Sequence, residues 1–171
     1  TLPGVLSVEP DTFTDKRGFF HVLWDYRELN FEPVYQYATQ SRMGTLRGLH
    51  CQMSPFTQAK LVQVVQGSIF DVVVSMTDFG KFEVFYLTPH QHLFIPPGYV
   101  HGFYVSNTWA DVVYLLDEHY HPEAEQTIDP FDKDVQIPWE LRTDIDLLMS
   151  EKDKHGMSYA DAFIKWRNFH G

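Results

Sequence analysis

Residues 60–74 read Lys60-Leu61-Val62-Gln63-Val64-Val65-Gln66-Gly67-Ser68-Ile69-Phe70-Asp71-Val72-Val73-Val74. Two apolar, β-branched runs flank a glycine-containing turn, and this pattern predicts a β-hairpin. Runs of the same kind follow at 81–87, 92–95, 101–106 and 111–117, separated by Gly, Pro and Asn at short, fairly regular spacing. Strands punctuated in this way make an antiparallel sandwich or barrel, and no helices alternate with them as a parallel sheet requires. Helical signal is confined to the ends. Residues 25–30 have room for one or two turns. Ser158-Tyr159-Ala160-Asp161 fits a capping-box start, with Ala160, Phe163, Ile164 and Phe169 as the apolar stripe that packs on the β-body. The expectation is one mainly-β domain over 1–171, with a β-core over about 5–138 and a helical C-terminal segment over about 139–171.

Composition narrows the function classes. A hydrophobic content of 44% excludes a disordered chain, and no apolar run approaches the length of a membrane span. Thr1-Leu2-Pro3-Gly4 offers neither the basic start nor the apolar core of a signal peptide, and Cys51 is the single cysteine, which suits a reducing compartment. A cytoplasmic location is expected. The net charge of −10 argues against nucleic-acid binding, which needs a basic face. It leaves room for a small anionic ligand, because Arg17, Arg47, Lys60 and Lys152 fall in or beside turn-marked motifs and a local cationic pocket focuses a phosphate-bearing substrate.

Two motifs carry chemistry. Gly44-Thr45-Leu46-Arg47-Gly48-Leu49-His50-Cys51-Gln52 and Ile95-Pro96-Pro97-Gly98-Tyr99-Val100-His101-Gly102-Phe103 each present a histidine in a glycine-punctuated, strand-like setting, expected on opposite sides of a set of strands at a barrel mouth. Imidazole gives and takes protons near neutral pH, so the pair suits acid–base work. A metal centre fits poorly. The position two after His50 is Gln52, and 53–66 contains no Asp or Glu, so His50 and His101 are too few ligands for a divalent ion. His119 and His121 form a His-x-His, but it runs into Pro122 and a Glu-rich loop and reads as a strand end. Cys51 neighbours His50 on a strand, so the two side chains point to opposite faces and form no nucleophile pair. Tyr114 carries a phenol into an apolar run, and Lys60 opens one, where an ammonium meets an oxyanion.

The segments Asp15-Lys16-Arg17-Gly18-Phe19-Phe20, Leu46-Arg47-Gly48-Leu49-His50, Ala59-Lys60-Leu61-Val62, Gly67-Ser68-Ile69-Phe70-Asp71-Val72 and Ile95 to Phe103 occur in one order and spacing. Together they resemble the dTDP-4-dehydrorhamnose 3,5-epimerase family over about residues 5–155. The resemblance implies a cupin-type antiparallel jelly-roll barrel, a homodimer, no cofactor and no metal. It implies a nucleotide-linked 4-keto-6-deoxy sugar as substrate, with dTDP as the nucleotide carrier. Carried onto this chain, His50 matches the general base, Asp153 the carboxylate paired with it, Tyr114 the acid that returns a proton from the opposite face, and Lys60 the cation facing the C4 oxygen. Arg47 and His101 match pocket residues, and Arg17 and Phe20 match a nucleotide-binding segment supplied by the partner subunit. Lys152, Tyr35, Tyr37 and His119 complete the expected substrate-binding set.

The chain also departs from its relatives. Tyr35-Gln36-Tyr37-Ala38-Thr39 stands where a Gln-x-Asn-x-Ser run is usual, Cys51 replaces an aromatic residue after the catalytic histidine, and His119 stands where many relatives have a second tyrosine. These changes leave the sugar, the nucleotide and the number of inverted centres open while keeping the proton-transfer set. The leading reading is a cofactor-independent epimerase acting at C3, C5 or both. A mono-epimerase of an unusual deoxysugar pathway and a 3,4-ketoisomerase are the alternatives within the isomerases. A non-catalytic sugar-nucleotide binder would not require the acid–base set, and a metal-dependent oxygenase lacks its ligands.

Overall fold

Among the described residues, which are 1–25, 27, 29 and 31–170 with His170 given by its backbone alone, the computed structural model has twelve strands and two helices. The strands are β1 (Leu6–Val8), β2 (Thr12–Asp15), β3 (Gly18–His21), β4 (Tyr35–Arg42), β5 (Leu46–Gln52), β6 (Lys60–Gln66), β7 (Ile69–Ser75), β8 (Phe82–Leu87), β9 (His92–Ile95), β10 (Tyr99–Tyr104), β11 (Trp109–Leu116) and β12 (Glu125–Thr127). The helices are α1 (Glu151–Lys154) and α2 (Tyr159–His170). One sheet has the order β1-β9-β6-β11-β4, a second the order β12-β5-β10-β7-β8, and β2 and β3 form a separate hairpin. All the paired strands run antiparallel. This is the expected cupin-type jelly roll.

The runs at 60–66 and 69–75 are strands, but they do not make the expected hairpin. β6 lies between β9 and β11 in one sheet, whereas β7 lies between β10 and β8 in the other. The turn at Gly67 carries the chain from sheet to sheet: its φ is +79°, and a Cβ there would collide with the carbonyl of Trp109. A glycine turn specifies a reversal of direction, not a partner. Each run is apolar on both faces, so each is better buried as an inner strand than paired with its neighbour in sequence.

Three apolar layers follow. Val62, Val64, Leu93 and Val112 of the first sheet meet Ile69, Val73, Leu87 and Phe103 of the second to form the inter-sheet core. The other face of the second sheet, with Leu46, Leu49, Val72 and Val74, packs on Trp139, Tyr159, Ala162, Phe163 and Trp166. Burial on both sides explains why every residue of β7 is buried. A smaller cluster of Phe31, Ala59, Leu61 and Leu115 covers the outside of the first sheet.

α2 begins where the capping signal places it, with Ser158 Oγ accepting the Asp161 N–H at 3.1 Å. Its buried stripe is Tyr159, Ala162, Phe163 and Trp166, at i, i+3, i+4 and i+7. Ile164 and Phe169, expected on that stripe, are 58% and 55% exposed. Tyr159 fixes the rotation, because its hydroxyl donates to the Ser75 carbonyl at 2.6 Å and accepts the Gly80 N–H. The turn expected over 25–30 includes residues 26, 28 and 30, which lie outside the described residues. No helix among the described residues is long and apolar enough to cross a membrane.

Candidate functional site

Strict strand alternation would send Arg47 and His50 to opposite faces, because they are three residues apart. They share a cavity because β5 carries one extra residue. His50 pairs with His101 and Arg47 with Phe103, so three steps on β5 match two on β10. This is a β-bulge, and it resets which side chains face inward. Two glycines make it possible. A Cβ on Gly48, whose φ is +115°, would lie 2.5 Å from the Gly102 Cα, and one on Gly102 would lie 2.5 Å from the Arg47 carbonyl oxygen. His50 and His101 are therefore direct cross-strand partners, not residues on opposite sides of the strands as the sequence suggested.

Each histidine is bonded to an aspartate. His50 Nε2 lies 2.6 Å from Asp153 Oδ1. Asp153 is contributed by α1, whose N-cap Ser150 accepts the Asp153 N–H at 3.1 Å. Burial pushes the Asp153 carboxyl up, but its bond and charge interaction with His50, together with Ser150 and the Gly48 backbone, outweigh this and hold it below the usual carboxylate range. A carboxylate only accepts, so His50 donates through Nε2 and keeps Nδ1 as its basic nitrogen. The second pair is sealed. His101 Nδ1 lies 3.3 Å from Asp71 Oδ2, and the other Asp71 oxygen is buried without a hydrogen-bond partner. Burial raises the Asp71 pKa and lowers that of His101, and in each case the charge and hydrogen bond of the other partner pull the opposite way.

The cavity, about 360 Å³, is lined by His50, His101, Arg47, Lys60, Tyr114, Tyr35, Tyr37, Thr39, Tyr120, Glu125 and Lys152 among others. Lys60 opens β6 opposite Ile95 and Leu116 and is 8% exposed. Burial lowers its pKa, and nearby Glu125 and Asp71 oppose that without touching it. An ammonium in such a place is available to an oxyanion. Tyr114 is 4% exposed, and burial first, then the neighbouring Tyr37 and Asp71, push its phenol well above the usual value. It enters the cavity protonated, as a proton donor must. Arg47 is steadied by its Nε–H donated to Ser41 Oγ at 2.9 Å. Glu125 accepts from Tyr120 Oη at 2.8 Å and from Lys152 Nζ at 2.7 Å.

Of the residues singled out from sequence, His50, Lys60, Tyr114, Arg47, His101, Lys152, Tyr35 and Tyr37 line this one cavity, with Asp153 directly behind His50. His119 does not line it. Its carbonyl is held by Gln52 and Gln58, and its ring packs 5.7 Å from Tyr35, so the following residue, Tyr120, supplies the aromatic wall there. Arg17 and Phe20 are also elsewhere. They lie on the β2–β3 hairpin around a separate surface depression, Phe20 63% exposed and Arg17 paired with Asp15 at 2.5 Å. Sequence reading missed Asp71, Glu125 and Tyr120. Asp71 had a visible signal, a lone acid inside a buried apolar run, which needs a partner. Gln52, where a metal barrel would place a ligand, bonds Phe56, His119 and His121 through their backbones. Among the described residues no three His, Cys, Asp or Glu side chains are grouped to hold a metal.

Comparison with known proteins gives the family. The family model for dTDP-4-dehydrorhamnose 3,5-epimerase matches residues 1–161, and the chain belongs to that family of sugar-nucleotide isomerases. A dTDP-4-dehydrorhamnose 3,5-epimerase of Shigella flexneri is 36% identical over 173 residues, which is 94% of each chain. The crystal structure of a dTDP-6-deoxy-D-glucose-3,5-epimerase from Legionella pneumophila, in complex with dTDP-4-keto-L-rhamnose, superposes with a TM-score of 0.84 at 35% identity, covering 90% of this chain and 87% of that one. ChmJ, a 3'-monoepimerase from Streptomyces bikiniensis in complex with dTDP-quinovose, superposes with a TM-score of 0.86 at 29% identity, covering 93% and 85%.

Proposed function

We propose that this chain inverts C3, C5 or both of a dTDP-linked 4-keto-6-deoxy sugar, with His50 as base and Tyr114 as acid. The observation that carries this reading is the His50–Asp153 pair sharing one cavity with Lys60 and a buried, protonated Tyr114. A proton α to a ketone is acidic because the carbanion delocalises onto oxygen. His50 removes it, and Asp153 fixes the tautomer and stabilises the imidazolium. Lys60 meets the charge developing on the C4 oxygen in a site shielded from water, where such interactions are strong. Tyr114 returns a proton to the opposite face, and removal from one face with return on the other is inversion. The scheme uses only these side chains.

Arg47 and Lys152 supply positive charge for the diphosphate, and His101, Tyr35 and Tyr37 complete the sugar pocket. The exposed β2–β3 hairpin, with Arg17 and Phe20, serves the pocket of a second copy in a homodimer. Its three exposed phenylalanines, Phe13, Phe19 and Phe20, are 61–64% exposed and favour such an association. Likeness to the ChmJ monoepimerase and the Tyr35–Tyr37 wall support inversion at a single centre as the second reading.

Proton NMR with dTDP-4-keto-6-deoxyglucose in deuterated water tests the scheme. Loss of the C3 and C5 signals with formation of the inverted product is expected for a 3,5-epimerase, and loss of one signal for a mono-epimerase. A C3-ketone product would replace this reading with a ketoisomerase. No exchange at all would reject this substrate.

A further inference from the structure

We propose that Tyr37 is a positioning residue for the proton donor, holding Tyr114 in the attitude from which it delivers a proton to the sugar face opposite His50. The role rests on the epimerase reading above. Tyr37 and Tyr114 occupy directly paired positions on β4 and β11. Their rings stack with centroids 4.7 Å apart and 20° between planes. Among the described residues, the other aromatic neighbour of Tyr114, His101, is 6.2 Å away and inclined by 59°. Tyr37 is thus the flat surface against which Tyr114 rests. Tyr37 is backed in turn by Tyr35 at 5.9 Å, the next residue on the same face of β4. Since β4 ends its sheet, this row of rings forms the side wall of the cavity.

The geometry matters because of where the reactive atom sits. The Tyr114 oxygen is at the tip of a long side chain governed by two torsions, so a small swing of the ring moves it far. Proton transfer needs hydrogen-bond reach, and a displacement of about 1 Å costs on the order of 10²-fold in rate. The Tyr37 phenol is itself pushed up to about 12 by burial and by nearby Glu125 and Tyr35, so it packs as a neutral ring. In the step, the C–H electron pair becomes the enolate as His50 takes the proton. The Tyr114 O–H bond then breaks toward the opposite face of that carbon, leaving a phenolate. Imidazolium and phenolate are reset by proton exchange with solvent, so nothing is consumed.

This role separates two events that a merely structural role would not. Removal by His50 and return by His50 to the same face gives deuterium in recovered substrate. Return by Tyr114 gives deuterium in inverted product. In deuterated water, Tyr37→Ala and Tyr37→Leu are expected to lower the ratio of inversion to same-face exchange at least about tenfold, while Tyr37→Phe keeps the wild-type ratio. The leucine variant fills the space without a flat face, so it preserves the test where the alanine variant does not fold. Equal loss of both events, or a change in KM at constant ratio, would overturn the positioning role and leave Tyr37 as a packing or binding residue. A wild-type protein that exchanges no proton would instead reject the epimerase reading, and this role with it.

Discussion

His50 and His101 are opposite one another on neighbouring strands, each bonded to an aspartate, yet the two pairs differ in almost every physical respect. The first is tight, 2.6 Å, and its histidine side chain is 25% exposed to the cavity. The second is looser, 3.3 Å, with side-chain exposures of 7% and 0%. Asp153 has Ser150 and the Gly48 backbone besides its histidine, and its charge is stabilised. Asp71 has one oxygen bonded and one bare, and burial drives it toward the neutral acid. The same two residue types thus give a partly exposed histidine beside a charge-stabilised carboxylate on one strand, and a sealed pair whose ionised forms burial disfavours on the next. The partners of the carboxylate decide which.

The largest expected effect comes from breaking the first pair. His50→Asn should lower α-proton exchange by roughly 10³-fold, the scale of general-base catalysis, measured as loss of the substrate signal in deuterated water. Asp153→Asn leaves the imidazole but loosens its tautomer and orientation. A fall of roughly 10²-fold in kcat is expected, with KM little changed. Asp71→Asn, by contrast, should cost less than about tenfold, or about 1.4 kcal/mol of barrier, because in the proposed scheme His101 lines the pocket and His50 carries the proton. A loss from Asp71→Asn equal to that from Asp153→Asn would erase the distinction.

The smallest effect sharpens the contrast through stability. The folded value of Asp153 is below 3.8, so its contribution is present above that pH and is lost as pH falls through the folded value. Asp71 has the opposite sign. Its folded value is above 3.8, so stability declines as pH rises from 3.8 through that value. His101 is lowered from 6.5, so stability also declines as pH falls below 6.5 toward its folded value. Urea unfolding across this range should show that Asp153→Asn removes part of the acid loss, whereas Asp71→Asn removes part of the decline above 3.8.

Much of this was legible in the chain. The β-branched runs and their turns predict strands because side-chain burial and turn chemistry are local properties. The Arg47-Gly48-Leu49-His50 motif, the lone Lys60 at a strand start and Tyr114 in an apolar run marked most of the cavity. The pairing of the runs was not legible. The sequence predicts a β6–β7 hairpin that the fold does not make, because a turn residue such as Gly67 encodes reversal while the choice of sheet depends on strands far away in sequence. The rim was also misread by one residue. Gln52 and Gln58 grip the His119 carbonyl, and that anchoring turns Tyr120 inward instead of His119.

By itself, then, the sequence determined the strand-forming segments and the residue types available for proton transfer, which follow from composition and spacing, and its motifs carried the resemblance to the family. Only the tertiary structure decided which of them meet. The extra residue at Gly48 puts Arg47 and His50 on one side, and α1 brings Asp153 from 103 positions away onto His50. The sheet closure hides Asp71 beneath His101. Those juxtapositions depend on register and burial, which arise from the packing of distant segments and have no local signature in the chain.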